Sequence, residues 1–157
     1  MEDIIDKRII IVNGSNLSSI TVNLDPIKNV SSFKLVDTNA TISTTQTELQ
    51  TVYMCINDFG LKRIYDNDKY KTGIDVFNSI NFYPNCKHND CHTTGIISDF
   101  NLDTQNYVFN PIKGELNRLN ISFKRYNYDT KTLEDYVLHK FSLELCVYSK
   151  RMKVTMF

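Results

Sequence analysis

Apolar and polar residues alternate with a period of two along most of the chain. The clearest case is residues 139–148, where Phe141, Leu143, Leu145 and Val147 are separated by polar or small residues. Residues 20–24, 52–56 and 119–123 repeat the pattern. Because successive side chains of a strand point to opposite faces, the pattern predicts half-buried strands. No segment keeps a 3.6-residue apolar spacing long enough to indicate an amphipathic helix.

Less regular strand candidates lie at 8–12, 33–36, 76–82, 94–98 and 107–109. Residues that favour turns separate the candidates: Asn13-Gly14-Ser15, Asp25-Pro26, Asp58-Phe59-Gly60, Asp66-Asn67-Asp68, Tyr83-Pro84-Asn85, Asn110-Pro111 and Lys113-Gly114. We therefore predict an all-β protein, a single antiparallel β-sandwich of about eight strands. The chain, residues 1–157, is expected to form one domain.

The alternation also predicts which side chains face the interior. They are Ile20, Val22, Leu24, Phe33, Leu35, Val52, Met54, Ile56, Leu119, Ile121, Phe123, Phe141, Leu143, Leu145 and Val147. In this register Ser142 and Glu144 face outward.

The charge balance restricts the choice of partners. Lys plus Arg and Asp plus Glu both total 18, so the formal net charge is zero. Nucleic acid and anionic membranes attract clustered basic surfaces, so neither is the expected partner. A chain with little net charge is also poorly protected from self-association. The sequence shows no signal peptide and no apolar run of membrane-spanning length, which predicts synthesis in the cytoplasm.

The sequence carries few of the groups that catalysis needs. It contains no G-x-S-x-G, no glycine-rich phosphate loop and no H-E-x-x-H, the motifs of common nucleophilic, nucleotide-dependent and zinc-dependent enzymes. Of the three histidines, His139 begins the most regular strand candidate and is interpreted as structural. We therefore expect a protein that is not an enzyme and needs no cofactor.

One short segment could hold a metal ion. Residues 86–92 contain Cys86, His88, Cys91 and His92, and Cys and His are the preferred ligands of zinc. However, structural zinc sites usually draw ligands from two separated pairs. A disulfide between Cys86 and Cys91 and a solvated polar loop are the alternatives. We expect the polar loop, without metal.

The last residues of the chain are a candidate interface. Three cations, Lys150, Arg151 and Lys153, precede an apolar end formed by Met156 and Phe157. One interpretation is a further strand on the protein's own sheet. The other, which we favour, is docking on a neighbouring subunit, because a cation cluster beside an apolar tip suits a partner better than a core.

A succession of segments that covers most of the chain carries a resemblance to a known family: residues 19–24, 25–30, 33–36, 52–60, 114–123 and 139–145. Residues 116–123 read L-x-x-L-x-I-x-F, and residues 139–145 read His-Lys-Phe-Ser-Leu-Glu-Leu. This succession resembles the small jelly-roll capsid proteins of nucleocytoplasmic large DNA viruses, which share the first pattern and close on a similar "H-S-F-x-L-E-I" strand. Lys140 stands where the family has a small residue.

The resemblance implies a jelly-roll minor capsid protein, located in the virion and made in the host cytoplasm. Its partners would be other capsid proteins, either the major capsid protein or neighbouring minor ones, in a multi-copy assembly. A non-catalytic β-sandwich that binds carbohydrate or protein is the alternative function. A cupin-like metalloenzyme is less consistent with the sequence, because the histidines lie mostly in one segment.

Overall fold

A computed structural model describes residues 4–42, 50–65, 73–82, 93–97, 106–127 and 129–151. These residues form ten β-strands and no helix. The strands are β1 (Ile4–Leu17), β2 (Ser19–Ile42), β3 (Gln50–Ile56), β4 (Lys62–Ile64), β5 (Ile74–Val76), β6 (Asn78–Phe82), β7 (Thr93–Ile97), β8 (Asn106–Asn127), β9 (Thr132–Asp135) and β10 (Leu138–Arg151). The all-β prediction is confirmed.

Eight of the strands form one antiparallel sheet, in the order β1-β10-β2-β7-β6-β3-β8-β9. A further pairing joins β2 to β8, so the sheet curls until two of its inner strands meet. The strands β4 and β5 form a separate two-stranded sheet. The described residues thus form one continuous curled antiparallel sheet, and its division into a sandwich of about eight strands stays a prediction.

The two longest strands make the curling possible. β2 has 24 residues: residues 19–34 pair with β8, residues 30–41 pair with β10, and residues 40–42 pair with β7, so the middle of β2 has a partner on both sides. The pairing with β8 shifts register between Asn23 and Ile27 and again between Val30 and Ser32. Such bulges bend a strand and increase its twist. Each long strand therefore contributes to two parts of the sheet.

Several of the predicted turns prove to lie inside strands. Asp25-Pro26 sits at the first register shift of β2, and Asn110-Pro111 lies in the part of β8 opposite the second shift. Lys113-Gly114 also lies within β8. Proline cannot donate to a ladder, but a bulge leaves residues unpaired and accommodates it. The turn residues were recognised correctly, and the inference that they end a strand was wrong.

The turn predicted at Asn13-Gly14-Ser15 is also wrong, for a different reason. These residues pair in regular register with Ser142, Phe141 and Lys140. A Cβ at Gly14 would overlap the ring of Phe141. Glycine is needed here for the close approach of an aromatic ring, since a strand glycine often marks such an approach.

Other predicted turns have different outcomes. Residues 57–60 do separate β3 from β4, as the Asp58-Phe59-Gly60 sequence predicts. The turns predicted at Asp66-Asn67-Asp68 and Tyr83-Pro84-Asn85 lie outside the described residues.

The core lies inside the curled sheet and contains the predicted apolar face. Phe33, Leu35, Val52, Met54, Ile56, Leu119, Ile121, Phe123, Phe141, Leu143, Leu145 and Val147 are all buried. Ile20, Val22 and Leu24 are only partly buried and pack against this cluster. The predicted register of residues 139–148 is therefore confirmed. Cys146, on the opposite face, is also fully buried, which the alternation did not predict.

Candidate functional site

A groove of about 580 Å³ crosses the three neighbouring strands β1, β10 and β2. Its lining residues are Asn13, Gly14, Ser15, Asn39, Thr41, Lys140, Phe141 and Ser142. The register explains the arrangement: Asn13, Ser142 and Asn39 form one row across the strands, and Ser15, Lys140 and Thr41 form the next. Since the side chain of Phe141 enters the core, its neighbours along β10 point outward.

The outward groups of the groove are amides, hydroxyls and one ammonium. Such groups can donate and accept hydrogen bonds. The hydroxyl oxygen of Thr41 is buried and has no hydrogen-bond partner within the described part of the chain. This chemistry is suited to binding a polar ligand.

A smaller pocket of about 250 Å³ lies where β3 turns toward the β4–β5 hairpin. It contains Cys55 and Asp75 among its lining residues. Burial raises the pKa of the Cys55 thiol, and the hydrogen bond with Ser122 and the charge of Lys124 only partly oppose this. A thiol with a raised pKa is mostly protonated at neutral pH, so Cys55 is a poor nucleophile.

Asn57 fixes the wall of the smaller pocket to β8. Its backbone is left-handed, with φ of 48°. The side-chain amide nitrogen donates to the carbonyl of Arg118 at 3.1 Å, and the side-chain oxygen accepts from the backbone amide of Asn120 at 2.7 Å. Asn tolerates this backbone conformation better than most residues. The contacts of Asn57 are structural and hold the turn against the sheet.

Arg63 and Asp75 form a two-point ion pair across the β4–β5 hairpin. The Nε of Arg63 donates to one carboxylate oxygen of Asp75 at 2.8 Å, and Nη2 donates to the other at 3.3 Å. The guanidinium lowers the pKa of Asp75 below its ordinary value. Both side chains are about half exposed, 53% and 52%, so the pair contributes little to stability.

We expect Arg63→Met to raise the pKa of Asp75 toward its ordinary range, because the hydrogen bond that lowers it is lost. A lowered carboxyl pKa favours the folded state above the unfolded pKa, and this contribution disappears as pH falls through the folded pKa. Carboxyl-detected NMR titration measures the pKa directly. Lys28→Met is the control, because Lys28 pairs with Glu115 at 2.8 Å. An unchanged Asp75 titration in Arg63→Met would contradict the assignment.

The sequence-predicted site residues are only partly described by the structure. Cys86, His88, Cys91 and His92 lie outside the described residues, as do Lys153, Met156 and Phe157. The expectation that residues 86–92 hold no metal therefore stays a prediction. Among the residues that are described, no group of three or more His, Cys, Asp or Glu is placed to hold a metal ion.

Lys150 and Arg151 are described, and they belong to β10. They pair with Ile5 and Ile4 of β1. The Nε of Arg151 lies 3.8 Å from a carboxylate oxygen of Asp6, so this cation already faces an acidic group of its own chain. The cation cluster of the proposed interface thus starts within the protein's own sheet.

Most described aromatic rings belong to the interior rather than to an exposed platform. Phe59 stacks on Tyr107 with centroids 5.0 Å apart and meets Phe109 edge-on at 5.0 Å. Both Tyr107 and Phe109 pack against the core. Tyr65 on the hairpin is 64% exposed.

The exposed apolar face of β1 was not predicted from the sequence. Ile5, Ile9 and Ile11 are 61%, 45% and 64% exposed. They alternate with Val12 and Gly14, which face the core side. The run Ile9-Ile10-Ile11 was the available signal, but it was used only to predict a strand.

No protein-family model matches the sequence, and no curated protein matches it. Within the described residues, no helix has the length and apolar character required to cross a membrane.

Proposed function

We propose that this protein is a structural subunit of a virion, a minor capsid protein of a large DNA virus that acts through protein–protein contacts. The order of strand pairing is the observation that carries the proposal. β2 contains two register shifts, and we count its two halves as separate strands, the first paired with β8 and the second mainly with β10 and β7. With β9 and the β4–β5 hairpin left aside, the described residues then provide eight sheet-forming segments, the number in a jelly roll.

These segments fall into two groups of four. The first group consists, in order of pairing, of β1, β10, the second half of β2, and β7. The second group consists, in order of pairing, of the first half of β2, then β8, β3 and β6. When the eight segments are numbered in the order in which they occur along the chain, the first group contains the first, eighth, third and sixth segments. The second group contains the second, seventh, fourth and fifth segments. This order agrees with that of a jelly roll, a fold found in viral capsid and lectin domains, and it supports the proposal.

The fold is compatible with several functions, and the resemblance of residues 116–123 and 139–145 to small capsid proteins favours one of them. Both segments occupy central positions: Leu116, Leu119, Ile121 and Phe123 of β8 are buried, as are Phe141, Leu143 and Leu145 of β10. The exposed isoleucines of β1 provide an apolar surface outside the core, of the kind that protein partners cover. Partners would be the major capsid protein or neighbouring minor capsid proteins.

Quantitative mass spectrometry of gradient-purified particles tests this proposal, using cells infected with the virus that encodes the chain. We expect the chain in the particle fraction at a constant ratio to the major capsid protein, after protease treatment of the intact particles as well as before. Nonstructural proteins of the same infection serve as the contamination control. Recovery of the chain only in the soluble fraction would contradict a role in the virion.

The groove across β1, β10 and β2 favours a second candidate, a β-sandwich module that binds carbohydrate. Its amides, hydroxyls and ammonium suit hydrogen bonding to sugar hydroxyls. Phe141 is the aromatic residue in its lining, and its side chain is buried in the core. A glycan array probed with the labelled chain tests this candidate: binding that Asn39→Ala removes and Asn23→Ala retains would favour it over the capsid role.

A further inference from the structure

The edge of the sheet formed by β1 is unlike the opposite edge. In the described part of the chain β1 pairs with β10 alone, and it is 14 residues long. At the other end of the sheet β9 has four residues and is held by an ion pair between Asp135 and Lys124. Proteins usually protect exposed edges with short strands and charges, because an open edge pairs with other chains. β9 follows this rule, whereas β1 is long and carries no charged residue from Ile9 to Leu17.

We propose that the free edge of β1 pairs with β1 of a second copy of this chain. The two strands would run antiparallel around a two-fold axis and join the two sheets into one. Backbone hydrogen bonds of the kind formed when a strand is added to a sheet edge would hold the pair. The inference rests on the described geometry and does not depend on the proposed role in a virion.

The occupant is a second copy because the strand is complementary to itself. Residues directly opposite in an antiparallel pair share one face. A register centred on Ile10 overlaps the strands over residues 4–16, nearly their full length. It places Ile9 opposite Ile11 of the second copy. The two-fold axis repeats this contact, so the exposed isoleucines 9 and 11 of both chains form one apolar cluster.

The same register avoids contacts between like charges. The charged residues Asp6, Lys7 and Arg8 lie together near the start of β1. They would face Gly14, Asn13 and Val12 of the second copy, none of which is charged. The formal net charge of the chain is zero, so no long-range repulsion opposes association.

Sedimentation velocity of the purified full chain over a range of concentrations tests the pairing. We expect the wild type to form a dimer. Ile9→Lys combined with Ile11→Lys places ammonium groups opposite one another and should weaken the dimer by about tenfold or more in Kd. Ile9→Lys combined with Ile11→Glu places an ammonium opposite a carboxylate in both contacts and should retain the dimer. Val108→Lys is the matched control, because Val108 is 65% exposed on β8, away from the edge.

Three outcomes would overturn the proposal: a wild type that remains monomeric at all concentrations, a dimer that tolerates both lysines, or a dimer that the Lys–Glu variant also loses. Thermal melts show whether each variant is folded. If a variant fails to fold, hydrogen exchange of the wild type decides instead. Amides of residues 4–17 should exchange more slowly as the concentration rises, and exchange independent of concentration would overturn the pairing.

Discussion

Phe33→Ala is expected to lower the free energy of unfolding by about 3–5 kcal/mol, the range for deleting a fully buried phenylalanine ring. Phe33 has no exposed surface. Its ring lies 5.5 Å from that of Phe59 and 5.4 Å from that of Phe77. It also occupies the part of β2 that pairs with β8 on one side and with β10 on the other. The substitution therefore leaves a cavity where the two parts of the curled sheet meet.

Chemical denaturation monitored by circular dichroism measures this loss. Val108→Ala is the matched control: Val108 lies on β8 close to Phe33, but it is 65% exposed. A surface substitution of this kind should stay within about 0.5 kcal/mol of the wild type. If Phe33→Ala behaves like this control, the ring does not belong to the core.

The side-chain pattern predicted the core well because it depends on local chemistry. Leu143 and Leu145 are buried, and Ser142 and Glu144 are not, since a strand with one face toward apolar neighbours must alternate. The exceptions are informative. Cys146 is buried on the outward face, which alternation within one strand cannot indicate.

The length of the strands was predicted poorly because it depends on distant partners. Pro26 and Pro111 locally favour turns. In the structure, β8 and β2 pair with each other on both sides of these prolines, and the bulges absorb the unpaired residues. The tertiary pairing overrides the local preference. A single sequence contains no signal that distinguishes a bulge of this kind from a loop.

The candidate sites depend on the same long-range pairing. The groove combines residues 13–15, 39–41 and 140–142, which are distant along the chain and meet only because β10 inserts between β1 and β2. Similarly, the run Ile9-Ile10-Ile11 predicts a strand, but only the sheet order shows that this strand lies at an edge. The sequence therefore shows which residues are present in the groove and in β1, but it does not predict how the sheet places them relative to one another.

Gly14→Ala is expected to destabilise the protein by about 1–3 kcal/mol, the usual cost of overpacking a filled interior. A glycine inside a strand normally weakens it, so an added methyl group at an ordinary position would be neutral or favourable. Here the methyl group would overlap the ring of Phe141. That ring is 3% exposed and packs against Phe123 with centroids 4.8 Å apart, so it cannot move away freely.

The double variant separates this steric cause from a backbone effect. Phe141→Ala alone should cost about 3–5 kcal/mol. In that background the ring is absent, so adding Gly14→Ala should cost nothing further and can recover a few tenths of a kcal/mol by restricting the unfolded chain. The two substitutions are therefore expected to be strongly non-additive in a double-mutant cycle of unfolding free energies. Additive losses would show that Gly14 is required for its backbone conformation, and that the ring of Phe141 is not the reason for a glycine at this position in β1.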